Sequence, residues 1–165
     1  MSITPKTAQL QIRVSPAEKA AIQRAARRAG LGVSAYVLKR LLPAAEQKFH
    51  ALTGACAEPA GARFALAELN SFLSALGAGE LRDAVTLPPA PGQTSRLANY
   101  IAAMVESACA RRGIAPPAWT VAIPPLAEPW FGTDLESLRL HLLTHSPPPF
   151  RRRNIFIDAS VGAQV

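Results

Sequence analysis

The chain has 165 residues, enough for one ordinary domain or two small ones, and 49% of them are hydrophobic, which excludes global disorder. The formal net charge is +7, and the excess is local: residues 1–48 hold nine Lys/Arg against two acids, whereas residues 49–165 hold nine Arg against nine acids. Two cysteines without a CxxC exclude a disulfide framework, and no apolar run approaches the roughly 18 residues of a membrane span.

A basic front end of this kind suits a polyanionic partner, either nucleic acid or an anionic membrane surface. The first residues, MSITPKTAQLQIRV, lack the apolar stretch of a signal peptide, and with the unpaired cysteines this predicts a reducing, cytoplasmic setting.

Gln9-Leu10-Gln11-Ile12-Arg13-Val14 alternates strictly, predicting a short strand with Leu10, Ile12 and Val14 on its buried face. Ser15-Pro16-Ala17-Glu18 then announces a helix: Ser15 caps, Pro16 suits the first helical position, and Glu18 completes a capping box. The helix runs to Ala29 with Ile22, Ala25, Ala26 and Ala29 as its stripe, and Gly30 is a left-handed stop. After the turn Leu31-Gly32-Val33, Ser34 is expected to cap a second helix from Ala35 to Leu42, which Pro43 ends.

About 40 residues of this kind bury too little surface to fold alone, and a lone strand exposes two unpaired edges. Pairing two chains resolves both, giving a two-stranded antiparallel ribbon over four shared helices. Gln9, Gln11 and Arg13 then point outward on one face. A two-stranded ribbon fits the DNA major groove, where Gln can bond adenine and Arg can bond guanine. Val33, Ser34 and Ala35, at the start of the second helix, offer free amides and a positive dipole end to a phosphate.

Residues 9–42, QLQIRVSPAEKAAIQRAARRAGLGVSAYVLKRLL, resemble the ribbon-helix-helix modules of bacterial antitoxins, most of all those that pair with acetyltransferase toxins. The matching elements are the strand IRVSP, the Glu-Lys start of the first helix, its Ala-rich middle, and the G-x-x-x-S-x-[YF]-[VL] entry from Gly30 to Val37. The resemblance implies that Gln9, Gln11 and Arg13 read DNA and that Ser34 sits at a phosphate anchor. A basic helix lying on a membrane is the other reading, but this apolar stripe is too Ala-rich for strong insertion.

Downstream, residues 53–63 (TGACAEPAGAR) read as a linker of small residues. Helices are expected from about Phe64 to Leu76, from Thr94 or Ser95 to Arg112 with Gly113 closing it, and from Thr133, with Glu136 as a capping-box partner, to about His145. Residues 114–131 are expected to be extended and proline-rich, and Pro147 to Pro149 to lead into a short strand over 152–158. No catalytic constellation or cofactor motif emerges. His141 and His145 have a ligand-like i, i+4 spacing but no third ligand nearby, so no metal is expected.

Proline-flanked aromatic and Arg stretches lose little entropy on docking, so Trp130, Phe150 and Arg152 are the expected partner-binding anchors, unless the aromatics are core. The segments PPAW at 116–119, EPWF at 128–131 and FRRRNIFID at 150–158 resemble the C-terminal regions of antitoxin-like proteins adjacent to abortive-infection-type nucleotidyltransferases. That implies a partner-binding segment rather than an enzyme, the partner being a toxin, in these relatives a nucleotidyltransferase.

The expected architecture is therefore an N-terminal ribbon-helix-helix module, one strand and two helices per chain and dimeric, over residues 1–48. A linker over 49–63 and a mostly α-helical C-terminal domain with extended Pro-rich segments over 64–165 follow. The expected function is that of a DNA-binding antitoxin that occupies its own operator and neutralises a toxin through its C-terminal domain. The alternative is a stand-alone repressor whose C-terminal domain oligomerises or senses a ligand.

Overall fold

The structure, a computed structural model, describes residues 11–41, 44–58 and 61–158. The chain divides into two units, Met1–Ala44 and Ala45–Val165.

The first unit is built from α1 (Pro16–Arg28) and α2 (Val33–Leu41), which pack on one another. α1 starts as its sequence dictates. The Ser15 hydroxyl oxygen accepts from Glu18 N–H at 3.3 Å, and a Glu18 carboxylate oxygen accepts from Ser15 N–H at 2.8 Å, with Pro16 at the first helical position. Gly30 ends it at φ +66°, a left-handed conformation that costs a residue without Cβ little. Leu31 N–H then reaches back to Ala26 O at 3.0 Å.

The regular structure of the second unit is mostly helical among the described residues. It comprises α3 (Ala44–Ala55, its first residue at the boundary), α4 (Ala62–Ala75), α5 (Ala78–Ala84), α6 (Ser95–Arg111), α7 (Ala118–Ala122), β1 (Trp130–Phe131), α8 (Glu136–His145), α9 (Pro148–Arg151) and β2 (Ile155–Phe156). α6 is its centre. Thr94 caps it through Leu97 N–H at 3.3 Å, and Ile101, Ala102, Ala103, Met104, Val105, Ala108 and Cys109 are all buried. Around it gather Phe49 and Leu52 from α3, Cys56 just after it, Leu69 and Leu73 from α4, Leu81 from α5, and Phe150, Ile155 and Ile157 from the C-terminal segment. β1 and β2 pair in parallel, Trp130 opposite Ile155 and Phe131 opposite Phe156, with α8 and α9 forming the crossover that parallel strands require.

Several sequence expectations change here. The linker expected over 49–63 begins as the second half of α3, because Phe49, Leu52, Thr53 and Cys56 recur at helical spacing and are all buried. The division between units accordingly falls at Ala44/Ala45 rather than near residue 48. The proline-rich stretch 114–131 contains the short helix α7, and Pro148 and Pro149 open α9, where a missing N–H leaves no bond unmade. Thr133 does not cap α8: its hydroxyl accepts from Leu135 N–H at 3.2 Å, and Leu135 is the capping residue.

One buried polar cluster knits the second unit. Arg153 donates to Glu106 at 2.5 and 3.3 Å, to Asn99 Oδ1 at 3.0 Å, and to the carbonyls of Thr120 at 2.6 Å and Ile123 at 3.4 Å. One guanidinium thus joins α6, α7 and the strand-bearing C-terminus. Arg153 is the arginine of the 151–153 run that the core takes in, while Arg151 and Arg152 stay exposed.

Candidate nucleic-acid interface

Charge divides where the chain divides. Met1–Ala44 carries eight Lys/Arg against one acid, and Ala45–Val165 carries ten against ten, so the first unit holds the whole excess. Arg13, Lys19, Arg24, Arg27, Arg28 and Arg40 are all exposed. The single acid, Glu18, is engaged by the helix start, where Ser15 N–H and hydroxyl both donate to Oε2 at 2.8 Å. The backbone hydrogen bond first, then the hydroxyl, hold its carboxyl below the ordinary range.

Val33, Ser34 and Ala35 form the first turn of α2. The first hydrogen bond into that helix is Tyr36 N–H to Gly32 O at 2.9 Å, so the amides of these three residues precede the intrahelical ladder. Ser34 is therefore the second residue of α2 and not its cap. The helix starts two residues earlier than the serine suggests because Gly32 already supplies the first acceptor. Amides of this kind at a helix start, with the positive end of the helix dipole, are of the type that can bond a phosphate.

Gln11 and Arg13 are exposed and extended, and Gln9 lies outside the described residues. Residues 11–14 pair with no strand among the described residues, and the first two residues of the strand expected over 9–14, Gln9 and Leu10, lie outside them. The reason is elementary: a strand needs a neighbouring strand, and the described residues of this unit offer none. Ile12 is 58% exposed and Val14 42%, while Val33, Leu38 and Leu41 of α2 are exposed as well. Only Ala26 of the described side chains in this unit is fully buried. With one buried side chain against five exposed large apolar ones, the described residues of this unit form no core of their own.

The three expected partner anchors land in different places. Phe150 is core, 6% exposed and stacked edge-on to Tyr100 at 5.3 Å, so the anchor assignment is corrected there: the turn of α9 folds it against α6. Trp130 is half-buried, with Tyr100 edge-on at 6.2 Å and the Arg96 guanidinium 5.4 Å from its ring centre. Arg152 is exposed. Trp130 also borders a cavity of about 220 Å³ together with Tyr100, Thr133, Leu138 and His141. His141 and His145 stack at 4.0 Å, and among the described residues no group of three or more His, Cys, Asp or Glu could hold a metal. No helix among the described residues is long and apolar enough to cross a membrane.

Residues 4–45 match the family model described as NikA-like, mobilization protein NikA, a ribbon-helix-helix-type DNA-binding family. That span nearly coincides with the first unit. No curated protein and no solved structure matches the chain.

Proposed function

We propose that the protein is a double-stranded-DNA-binding protein of the ribbon-helix-helix type, whose first unit dimerises through residues 9–14 and docks the paired strands in the major groove. The observation that carries this reading is a coincidence: the first unit, Met1–Ala44, holds the whole charge excess, its described residues have almost no buried side chains, and the family match over residues 4–45 spans nearly the same stretch. Dimerisation would cover Ile12 and Val14, each such side chain contributing about 1.5–3 kcal/mol when fully buried. Gln9, Gln11 and Arg13 would face base edges, and the amides of Val33, Ser34 and Ala35 a phosphate.

The test is a mobility-shift titration of the full chain on DNA taken from around its own gene. Arg13→Ala should cost about 1–3 kcal/mol of specific binding, with non-specific binding much less affected. Affinity should fall with salt at a log–log slope of about −0.9 per neutralised phosphate. Equal affinity of Arg13→Ala and wild type would show that the strand does not face the bases.

Two roles for that binding have support of different kinds. The family match favours a part in DNA mobilization, which predicts that deleting the gene lowers transfer of the DNA that carries it. The motif resemblance favours an antitoxin, in which case the chain co-purifies with the product of the adjacent gene, a toxin, through its second unit. A stand-alone repressor would do neither and would only silence its own promoter.

A further inference from the structure

α8 has leucines on nearly every side. Leu142 is buried against the second unit, yet Leu135 is 61% exposed, Leu138 43%, Leu140 78% and Leu143 41%. At 100° per residue, Leu140 and Leu143 flank Glu136 on a stripe turned away from Leu142. Four of the ten residues of α8 are leucines and only Leu142 is covered, so Leu140 and Leu143 leave apolar surface on the outer side beside Glu136. We propose that this outer stripe pairs with the α8 of a second copy, as an antiparallel helix pair centred on Leu140.

The charges identify the occupant. Glu136, at the helix start, has its ion pair with Arg139 at 3.6 Å in the open, and Arg151 lies at the helix end, its guanidinium 3.4 Å from the Thr144 carbonyl. Glu136 and Thr144 each lie four residues from Leu140, about 6 Å along the axis. An antiparallel pair centred there sets Glu136 of one copy opposite Thr144 and Arg151 of the other, twice by symmetry. The surface is therefore its own electrostatic complement, and the second unit is neutral, ten cations against ten acids, so two copies meet without net repulsion.

Size sets the conditions. A ten-residue helix offers a face about 15 Å long and 10 Å wide, well short of the roughly 1,000 Å² of buried surface that a free-standing interface needs. The pair forms between copies already held together, and here the inference rests on dimerisation by the first unit, which converts the second contact into an intramolecular one.

The experiment is oxidative cross-linking of full-length Leu140→Cys, with Ala67→Cys on exposed α4 as the comparison; the native Cys56 and Cys109 are buried. Facing residues of two packed helices lie within disulfide reach. At about 1 µM chain, Leu140→Cys should give a disulfide-linked dimer at least about tenfold faster than Ala67→Cys, with a rate independent of dilution. A Leu140→Cys chain that light scattering reports as a dimer but that cross-links no faster than Ala67→Cys overturns the helix pair and leaves the first unit's dimer standing. That is also the result if α8 serves a different protein. If light scattering reports a monomer and no cross-link forms, the proposal and the dimer fall together.

Discussion

Arg153→Met is the perturbation with the largest consequence that the structure allows to be worked out. The side chain is 6% exposed and its partner Glu106 13%. Methionine fills much of the same volume but donates nothing, so the Glu106 carboxylate loses both its charged donors and Asn99 Oδ1 loses its guanidinium partner. Breaking a buried pair by removing one member costs about 3–5 kcal/mol, because the remaining charge stays desolvated. For a unit of this size about 4 kcal/mol corresponds to a fall of roughly 10–20 °C in Tm. Trp119 and Trp130 both lie in the second unit, so tryptophan fluorescence follows its melting alone. Removing both partners in Arg153→Met/Glu106→Leu should recover part of the loss, since no lone charge remains. An Arg153→Met chain that melts within about 2 °C of wild type would refute the claim that this guanidinium holds α6, α7 and the C-terminal strand together.

Phe150→Ala should destabilise the second unit by about 3–5 kcal/mol, as loss of a core aromatic does, whereas Arg152→Ala should leave its melting unchanged; equal melts for the two would reverse their placement. Burial pushes the Cys56 thiol up to about 11 and raises that of Cys109, so neither should react with a thiol reagent at neutral pH until the chain unfolds. Rapid labelling of the native protein would contradict their position in the core. Glu18, with its carboxyl held low by Ser15, contributes to helix stability at ordinary pH and loses that contribution as pH falls through the lowered folded value. In an NMR titration, Ser15→Ala should return Glu18 to the ordinary carboxylate range; an unchanged titration would mean the capping box does not form.

Much of the first unit was legible because its signals are local. Ser15, Pro16, Glu18 and Gly30 each act within one turn of the residues they organise: α1 starts at Pro16 as expected and ends at Arg28, one residue before the expected Ala29, which caps it. α6 was legible for the same reason, through Thr94 and Gly113. α3 was hidden by composition: Thr53, Gly54 and Ala55 look like linker residues, although Phe49, Leu52, Thr53 and Cys56 carry a helical period that would have revealed it. α5 has seven residues and a glycine at its start, and the one signal available was Glu80, whose carboxylate accepts from Gly77 N–H at 3.1 Å. The prolines of α9 are ambiguous in sequence, since a proline suits both an extended segment and a first helical turn. Arg153 was not legible at all. Nothing local separates it from Arg151 and Arg152, since its partner Glu106 lies 47 residues away in sequence. The candidate interface was visible as charge and spacing, but the start of α2 at Val33 depended on a backbone acceptor, Gly32, that no side-chain pattern announces.

The segregation of charge has a colloidal consequence. A neutral unit with exposed leucines has little to keep its copies apart, while a net charge of +7 keeps whole chains dispersed. That charge sits entirely on the unit in front, so the front unit acts as the solubiliser of the one behind it. Cutting the chain at Ala44/Ala45 removes the repulsion, and a polyanion that binds the front unit cancels it without a cut. Either event should leave the second units free to cluster, so chains lined up along a polyanion would gather at concentrations where the free protein stays dispersed.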